Sequence, residues 1–270
     1  MKIIGLMLTW NNLEFFRCAL EQALSFCDEV VLVEGCHSKQ YPKRSTDGTC
    51  EHIQTMKAHP KLRIVDFDNR GRYDYTQRHI RMECPKMSQY YKPDNWVVFW
   101  EDDIFFLEEN LSKIKDAMQN SKNDALGADI RYFFYNFRFN FLEKGKGFYF
   151  FRIVDGFRLK GITAHCYRDG RRFSESLLDN MLIFHYGHVK RPERMKARWV
   201  MSMEKGTKAS IGRFEKWMSV SWNEDEDIFN THGILEGIRP RGILNVYNGK
   251  HPKVLDVHPW RNLEDVRRIK

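Results

Sequence analysis

Short apolar runs alternate with amphipathic segments through the N-terminal part of the chain, and this alternation constrains the fold more than any other feature. Residues 3–8, 29–33 (EVVLV), 63–67 (RIVDF) and 95–100 (NWVVFW) have strand length and are rich in aliphatic, β-branched or aromatic side chains. Between the first two, Leu13, Phe16, Leu20, Ala23 and Leu24 recur at helical spacing, with Asn11 and Asn12 placed to cap the helix. The turn Thr46-Asp47-Gly48-Thr49 precedes a second helical segment over residues 50–58, which Ser45, Thr46 or Asp47 can cap. Residues 75–91 form a third, which Pro85 must kink or end, and residues 107–120 a fourth. Strands joined by helices of this length require right-handed crossovers. The expected class is therefore α/β, with a mainly parallel central sheet covered by helices on both faces.

Beyond residue 128 the pattern changes. Residues 129–141 and 148–154 are aromatic-rich strand candidates, with Gly145 and Gly147 expected in the loop between them, as an antiparallel extension. Residues 181–186 (MLIFHY) read as another strand, residues 193–205 as a helix, and the region from 206 onward as mixed. There is no internal repeat and no low-complexity linker, so one domain over residues 1–270 is expected.

Composition narrows the function. A chain of 270 residues with 42% hydrophobic and 30% charged residues can bury a sizeable core. No apolar run approaches the ~18 residues of a spanning helix, and the short apolar N-terminus reads as a first strand rather than a leader. The 44 basic and 36 acidic residues leave a net charge of +8. The basic residues are dispersed in small groups, such as Arg168, Arg171 and Arg172, or Lys190, Arg191, Arg194, Lys196 and Arg198. That distribution points to a local anion site rather than to a specific nucleic-acid partner. The six cysteines form no C-x-x-C pair and no zinc spacing, which fits a reducing, cytoplasmic setting.

Chemistry concentrates at Trp100-Glu101-Asp102-Asp103, three carboxylates at the carboxyl end of an apolar strand, where open α/β sheets place their ligands. Adjacent like charges repel unless a cation or donors balance them. In an extended chain Glu101 and Asp103 share one side and Asp102 faces the other. Such carboxylates suit Mn²⁺ or Mg²⁺ bridged to phosphate oxygens. A second group, His185-Tyr186-Gly187-His188-Val189-Lys190-Arg191-Pro192, sets a histidine, a glycine and a lysine after another apolar run. Here His185, in preference to His188, is expected at the metal, and Lys190, with Arg191 as substitute, at a diphosphate.

These residues resemble the nucleotide-sugar glycosyltransferases of the GT-A fold, particularly the family-2-like group. Leu8-Thr9-Trp10-Asn11-Asn12 resembles that group's first strand and turn, and Val31–Gly35 with Ser45–Thr49 resembles its VDDGSTDGT segment, with Glu34 for the usual Asp and residues 36–44 inserted. Trp96–Asp103 is similar to its W-x-x-x-x-D-x-D strand, and His185–Pro192 to H-x-x-G-x-x-K-P with one residue fewer between His185 and Gly187. The resemblance implies a Rossmann-like GT-A sheet, with residues 1–110 binding a nucleotide-diphosphate sugar and residues 111–270 an acceptor: a glycan, a protein or a small molecule. It implies Thr9, Trp10 and Asn11 near base and ribose, Glu34 accepting from either, and Arg78 near the diphosphate or base. Asp103 with Glu101 or Asp102 would hold the metal, which bridges the phosphates, and Asp102 also joins the donor-binding set.

The implied reaction is metal-assisted transfer of a sugar to a hydroxyl, with inversion favoured. Inversion requires a base, for which Asp179 and Glu175 are the preferred candidates, ahead of Asp155 and Asp169. Asp47 is expected to cap a helix rather than to bind ligand. The aromatics of residues 132–151 are expected to be mostly core, with one or two at the acceptor site. His251, in Gly249-Lys250-His251-Pro252, is expected on a surface turn. Two alternatives compete. A nucleotidyltransferase would need a Gly-rich basic loop after the first strand, which Thr9–Asn12 lacks. A non-catalytic nucleotide- or nucleic-acid-binding module derived from such a fold would have lost the carboxylates.

Overall fold

The computed structural model describes residues 1–36, 38, 40–66, 79–160, 165–168, 171–204, 212–219 and 245–269. Strands β1 (Ile3–Thr9), β2 (Glu29–Glu34), β3 (Leu62–Val65) and β4 (Trp96–Phe99) pair in parallel in the order β3-β2-β1-β4. Helices α1 (Leu13–Phe26) and α2 (Thr49–Met56) connect the first three. Helical residues 79–83 and a 3₁₀ turn at Cys84–Met87 precede β4, so Pro85 ends the helix as expected.

The antiparallel extension continues the same sheet. After β5 (Ile104–Phe105) and α3 (Glu108–Asn120), β6 (Ala125–Phe134) and β7 (Phe139–Arg152) form a hairpin, and β7 also pairs with β4. Strand β11 (Glu175–His188) lies parallel to β6, and β5 returns along its outer edge. A separate small sheet holds β8 (Arg158–Lys160), β9 (His165–Arg168) and β10 (Arg171–Arg172). Helices α4 (Pro192–Glu204) and α5 (Gly212–Ser219) follow, and β12 (Asn245–Val246) pairs with β7. The fold is mixed α/β, with its central sheet parallel along one side and flanked by helices. No helix among the described residues is long and apolar enough to cross a membrane.

Sequence and structure part at two places here. Gly145 and Gly147 lie inside β7, not in a loop; the hairpin turns at residues 135–138. Gly147 is required by packing, because a Cβ there would sit 2.7 Å from Ile130 and 2.8 Å from Ile183. His251 is no surface residue: it is buried against Phe133, Phe137 and Phe184, and its Nδ1 lies 2.6 Å from the Tyr186 hydroxyl.

Strand direction then fixes where chemistry can gather. Because β7 runs antiparallel to both β4 and β6, strands β6 and β11 point the same way as β4 and β1. The carboxyl ends of β1, β4 and β11 therefore open on one edge of the sheet. Beneath that edge, Phe15, Phe105, Phe133 and Tyr186 pack in one apolar core, and Leu6, Val31, Val97 and Phe99 in another.

Candidate functional site

At the end of β4 the chain turns sharply. Trp100 N donates to Leu6 O at 2.9 Å and its indole to Ile104 O at 3.1 Å, while Ile104 N closes the turn on Glu101 O at 3.2 Å. Tyr186 N donates to Asp103 O at 2.9 Å, and Ile104 pairs with His185. The carboxylate turn is thus sewn to β11 by backbone bonds, and Asp103 meets His185 without help from side chains. Gly187 is required beside it, since a Cβ at that position would overlap the His185 imidazole.

One ligand atom each from Glu101, Asp103 and His185 fall within 4.8 Å of one another. His185 Nε2 lies 3.4 Å from Asp103 Oδ1 and 3.8 Å from Glu101 Oε2. The other oxygen of each carboxylate is held by a fixed cation: Lys190 Nζ is 2.7 Å from Asp103 Oδ2, and Arg81 is 2.5 Å from Glu101 Oε1. Each acid therefore has one neutralised oxygen and one turned toward the imidazole. Two carboxylate oxygens and an imidazole nitrogen suit a divalent ion of the Mn²⁺ type.

Burial pushes all three acids toward protonation, and their neighbours decide the outcome. Against burial, Lys190, His185 and Arg198 hold Asp103 well below the usual carboxylate range. Burial at Glu101 is likewise outweighed by the His185 hydrogen bond and Arg81, so its carboxyl is lowered. Asp102 is pushed up to about 6 by burial, with Lys190 opposing and Asp103 adding to the rise. Asp102 faces away from the trio, as expected, though through the turn rather than through strand alternation, and its Oδ2 accepts from Thr9 Oγ1 at 2.7 Å.

The other expected donor-site residues divide. Trp10 is buried with its ring 5.0 Å from the Arg194 guanidinium, and its Nε1 has no hydrogen-bond partner among the described residues; neither have Arg194 Nε and Nη1. Asn11 and Glu34 both bond to the neighbouring loop. Asn11 N donates to Ser45 Oγ and its Oδ1 accepts from Thr46 N, at 2.9 and 2.7 Å. Glu34 is buried and accepts from Ser45 N, Ser45 Oγ and Arg44, at 2.7–2.9 Å. Both fix the residue 44–46 loop. Asp47 has the structural role expected, but for two helices: Oδ1 accepts from Thr49 N at the start of α2, and Oδ2 from Leu13 N, the first N–H of α1. Arg78 lies outside the described residues.

The two candidate bases do not reach the cluster. Glu175 pairs with Ala125 and His185 with Tyr132, which separates them by about 23 Å along the strand. Asp179 is exposed in the irregular stretch between Leu177 and Leu182, beside Asn180 at φ 56°. Strand β11 is twice as long as its apolar core, so its acidic start belongs to the opposite edge.

Several site residues escaped the sequence reading. Asn12, expected as a cap, instead accepts from Lys190 Nζ at 3.2 Å and donates to Asp102 O at 3.4 Å. Arg81 stands three residues after Arg78 in the sequence. Arg194 and Arg198 stand four apart, which a helical reading of residues 193–205 places on one face. The Tyr132 ring lies 4.9 Å from His185, and its hydroxyl donates to buried Glu143. Most of the other aromatics are core, as expected.

No family model and no curated protein sequence matches the chain. Among solved structures it is similar to residues 1–349 of S. aureus TarS in complex with UDP-GlcNAc, at 13% identity and TM-score 0.47, covering 80% of this chain and 70% of that one. For the same fragment in complex with UDP the values are 14%, 0.46, 80% and 69%. For S. aureus TarS in a further crystal structure they are 14%, 0.47, 81% and 42%.

Proposed function

We propose that this protein is a GT-A-type glycosyltransferase that moves a sugar from a nucleotide-diphosphate donor to a hydroxyl-bearing acceptor. One observation carries the reading: the Glu101–Asp103–His185 trio gathers at the carboxyl edge of the sheet with Lys190 and Arg194 beside it. Glu101, Asp103 and His185 would hold Mn²⁺ or Mg²⁺, which when bound neutralises charge on the departing diphosphate. The chain's own residues do the rest. Lys190 is buried and already aimed at Asp103, so a small movement of its ammonium would bring it to a phosphate oxygen. The unpartnered donors of Trp10 and Arg194 are hydrogen-bond capacity that a ligand can fill. Thr9 and Asn12 hold Asp102 and Lys190 in place, and the loop fixed by Glu34 and Asn11 closes the nucleotide end.

Thermal-shift titration with UDP, GDP, CDP and dTDP, each with and without Mn²⁺, tests this. The expected result is stabilisation that needs both the ion and one nucleotide. No shift with any pair would instead favour a non-catalytic module.

A further inference from the structure

Away from the carboxylate cluster, the β6–β7 turn and the C-terminal segment line an open cavity of about 780 Å³. That is room for a ligand of several functional groups. Its charged lining is Arg138, Arg261, Arg267 and Arg268 against Glu264 and Asp265. Asp265 is committed to Arg267, whose Nε and Nη2 lie 2.9 and 2.5 Å from its two oxygens. Arg138, Arg261 and Arg268 have no ion-pair partner among the described residues, so three guanidiniums face one remaining carboxylate.

The walls are fixed, and Tyr135 in them is 1% exposed. Asn136 accepts from Arg138 N and Phe139 N at 2.8 and 3.0 Å and donates to Glu264 O at 2.6 Å, and Val266 N donates to Tyr135 O at 2.8 Å. The Arg267 guanidinium, held by Asp265, lies 4.2 Å from the Tyr135 ring centroid and keeps that ring in place.

We propose that this cavity binds a ligand carrying two or more oxyanion groups, phosphate or carboxylate, gripped by Arg138, Arg261 and Arg268. Guanidinium forks match both kinds of oxyanion bidentately. An excess of two positive charges after Glu264 is counted calls for more than one anionic group. None of the lining residues belongs to the Glu101–Asp103–His185 trio, so the site stands whether or not the chain transfers sugars.

Calorimetric titration with tripolyphosphate and, separately, citrate in EDTA reads the site directly and distinguishes phosphate from carboxylate recognition. At least one of the two should bind saturably. Arg261→Gln/Arg268→Gln should weaken that binding about ten-fold or more. Should the double variant not fold, Arg268→Gln alone, at an exposed position, gives the same reading. The proposal fails if neither anion binds, or if the arginine variants bind as the parent does. The latter result would place the anion at Lys190 and Arg194 instead.

Discussion

Replacing Lys190 with Met tests whether the carboxylate cluster exchanges an internal cation for an external one. Lys190 is 2% exposed, with its ammonium 2.7 Å from Asp103 Oδ2 and 3.2 Å from Asn12 Oδ1. Methionine keeps most of the packing of the stem and removes only the charge and its donors. Asp103 is then left buried, beside two other acids, with one counter-charge fewer. Removing one partner of a buried pair costs about 3–5 kcal/mol. Each kcal/mol moves the melting midpoint of a chain this long by about 2–4 °C, so the variant should melt roughly 6–20 °C lower in EDTA. Arg81, Arg198 and His185 still face the cluster, which sets the expectation at the low end of that range.

The informative arm is metal. Mn²⁺ should recover more stability in Lys190→Met than in the parent, because the ion supplies the missing charge. Asp103→Asn/Lys190→Met should melt closer to the parent in EDTA, since removing both charges leaves neither unpaired. It should also lose the extra recovery with Mn²⁺. Scanning calorimetry of the three proteins with and without Mn²⁺ measures each quantity. A Lys190→Met midpoint equal to the parent's in EDTA, or equal Mn²⁺ shifts in both, would refute the reasoning.

Five further outcomes are expected. Asp103→Ala should abolish sugar transfer, and His185→Gln should raise the Mn²⁺ needed for nucleotide-dependent stabilisation by about 10- to 100-fold; unchanged metal dependence would remove His185 from the site. Arg194→Gln should weaken diphosphate binding about ten-fold or more while nucleoside binding holds, checked by calorimetry with UDP and uridine. Asp47→Ala should cost about 1–2 kcal/mol through loss of a helix N-terminal acceptor, with nucleotide affinity intact; a large affinity loss would make Asp47 a ligand. Burial lowers His251 and His258 to about 3 each. The unfolded chain protonates at about 6.5, so their contribution is whole above that pH and shrinks as pH falls toward 3, by about 2 kcal/mol each between pH 7 and 5. Melting midpoints flat across that interval would show that these histidines are not buried as neutral rings.

The parts of this protein legible in the sequence are those that strand and helix periods dictate locally. Four apolar runs gave the parallel strands: β1, β2 and β4 are buried on both faces and need nearly continuous apolar character, whereas β3 is a partly exposed edge strand. Alternation separated Asp102 from Glu101 and Asp103, although those residues form a turn rather than an extended strand. His185 and Lys190 could be placed at the same edge because each follows the apolar part of β11. What stayed hidden was set by partners distant in sequence. Asn12 has a good cap's chemistry, yet its side chain makes no bond to the start of α1, and its Oδ1 accepts from Lys190 instead. Glu175 and Asp179 carry the right functional group for a base, but β11 extends so far that both lie well before the carboxyl edge, and only the pairing with β6 shows it. Gly147 has the composition of a turn, but its lack of a side chain is required by Ile130 and Ile183 on neighbouring strands. Residue type sufficed where one element's period decides the outcome; where two elements must meet, it was the pairing register that assigned each side chain its neighbour.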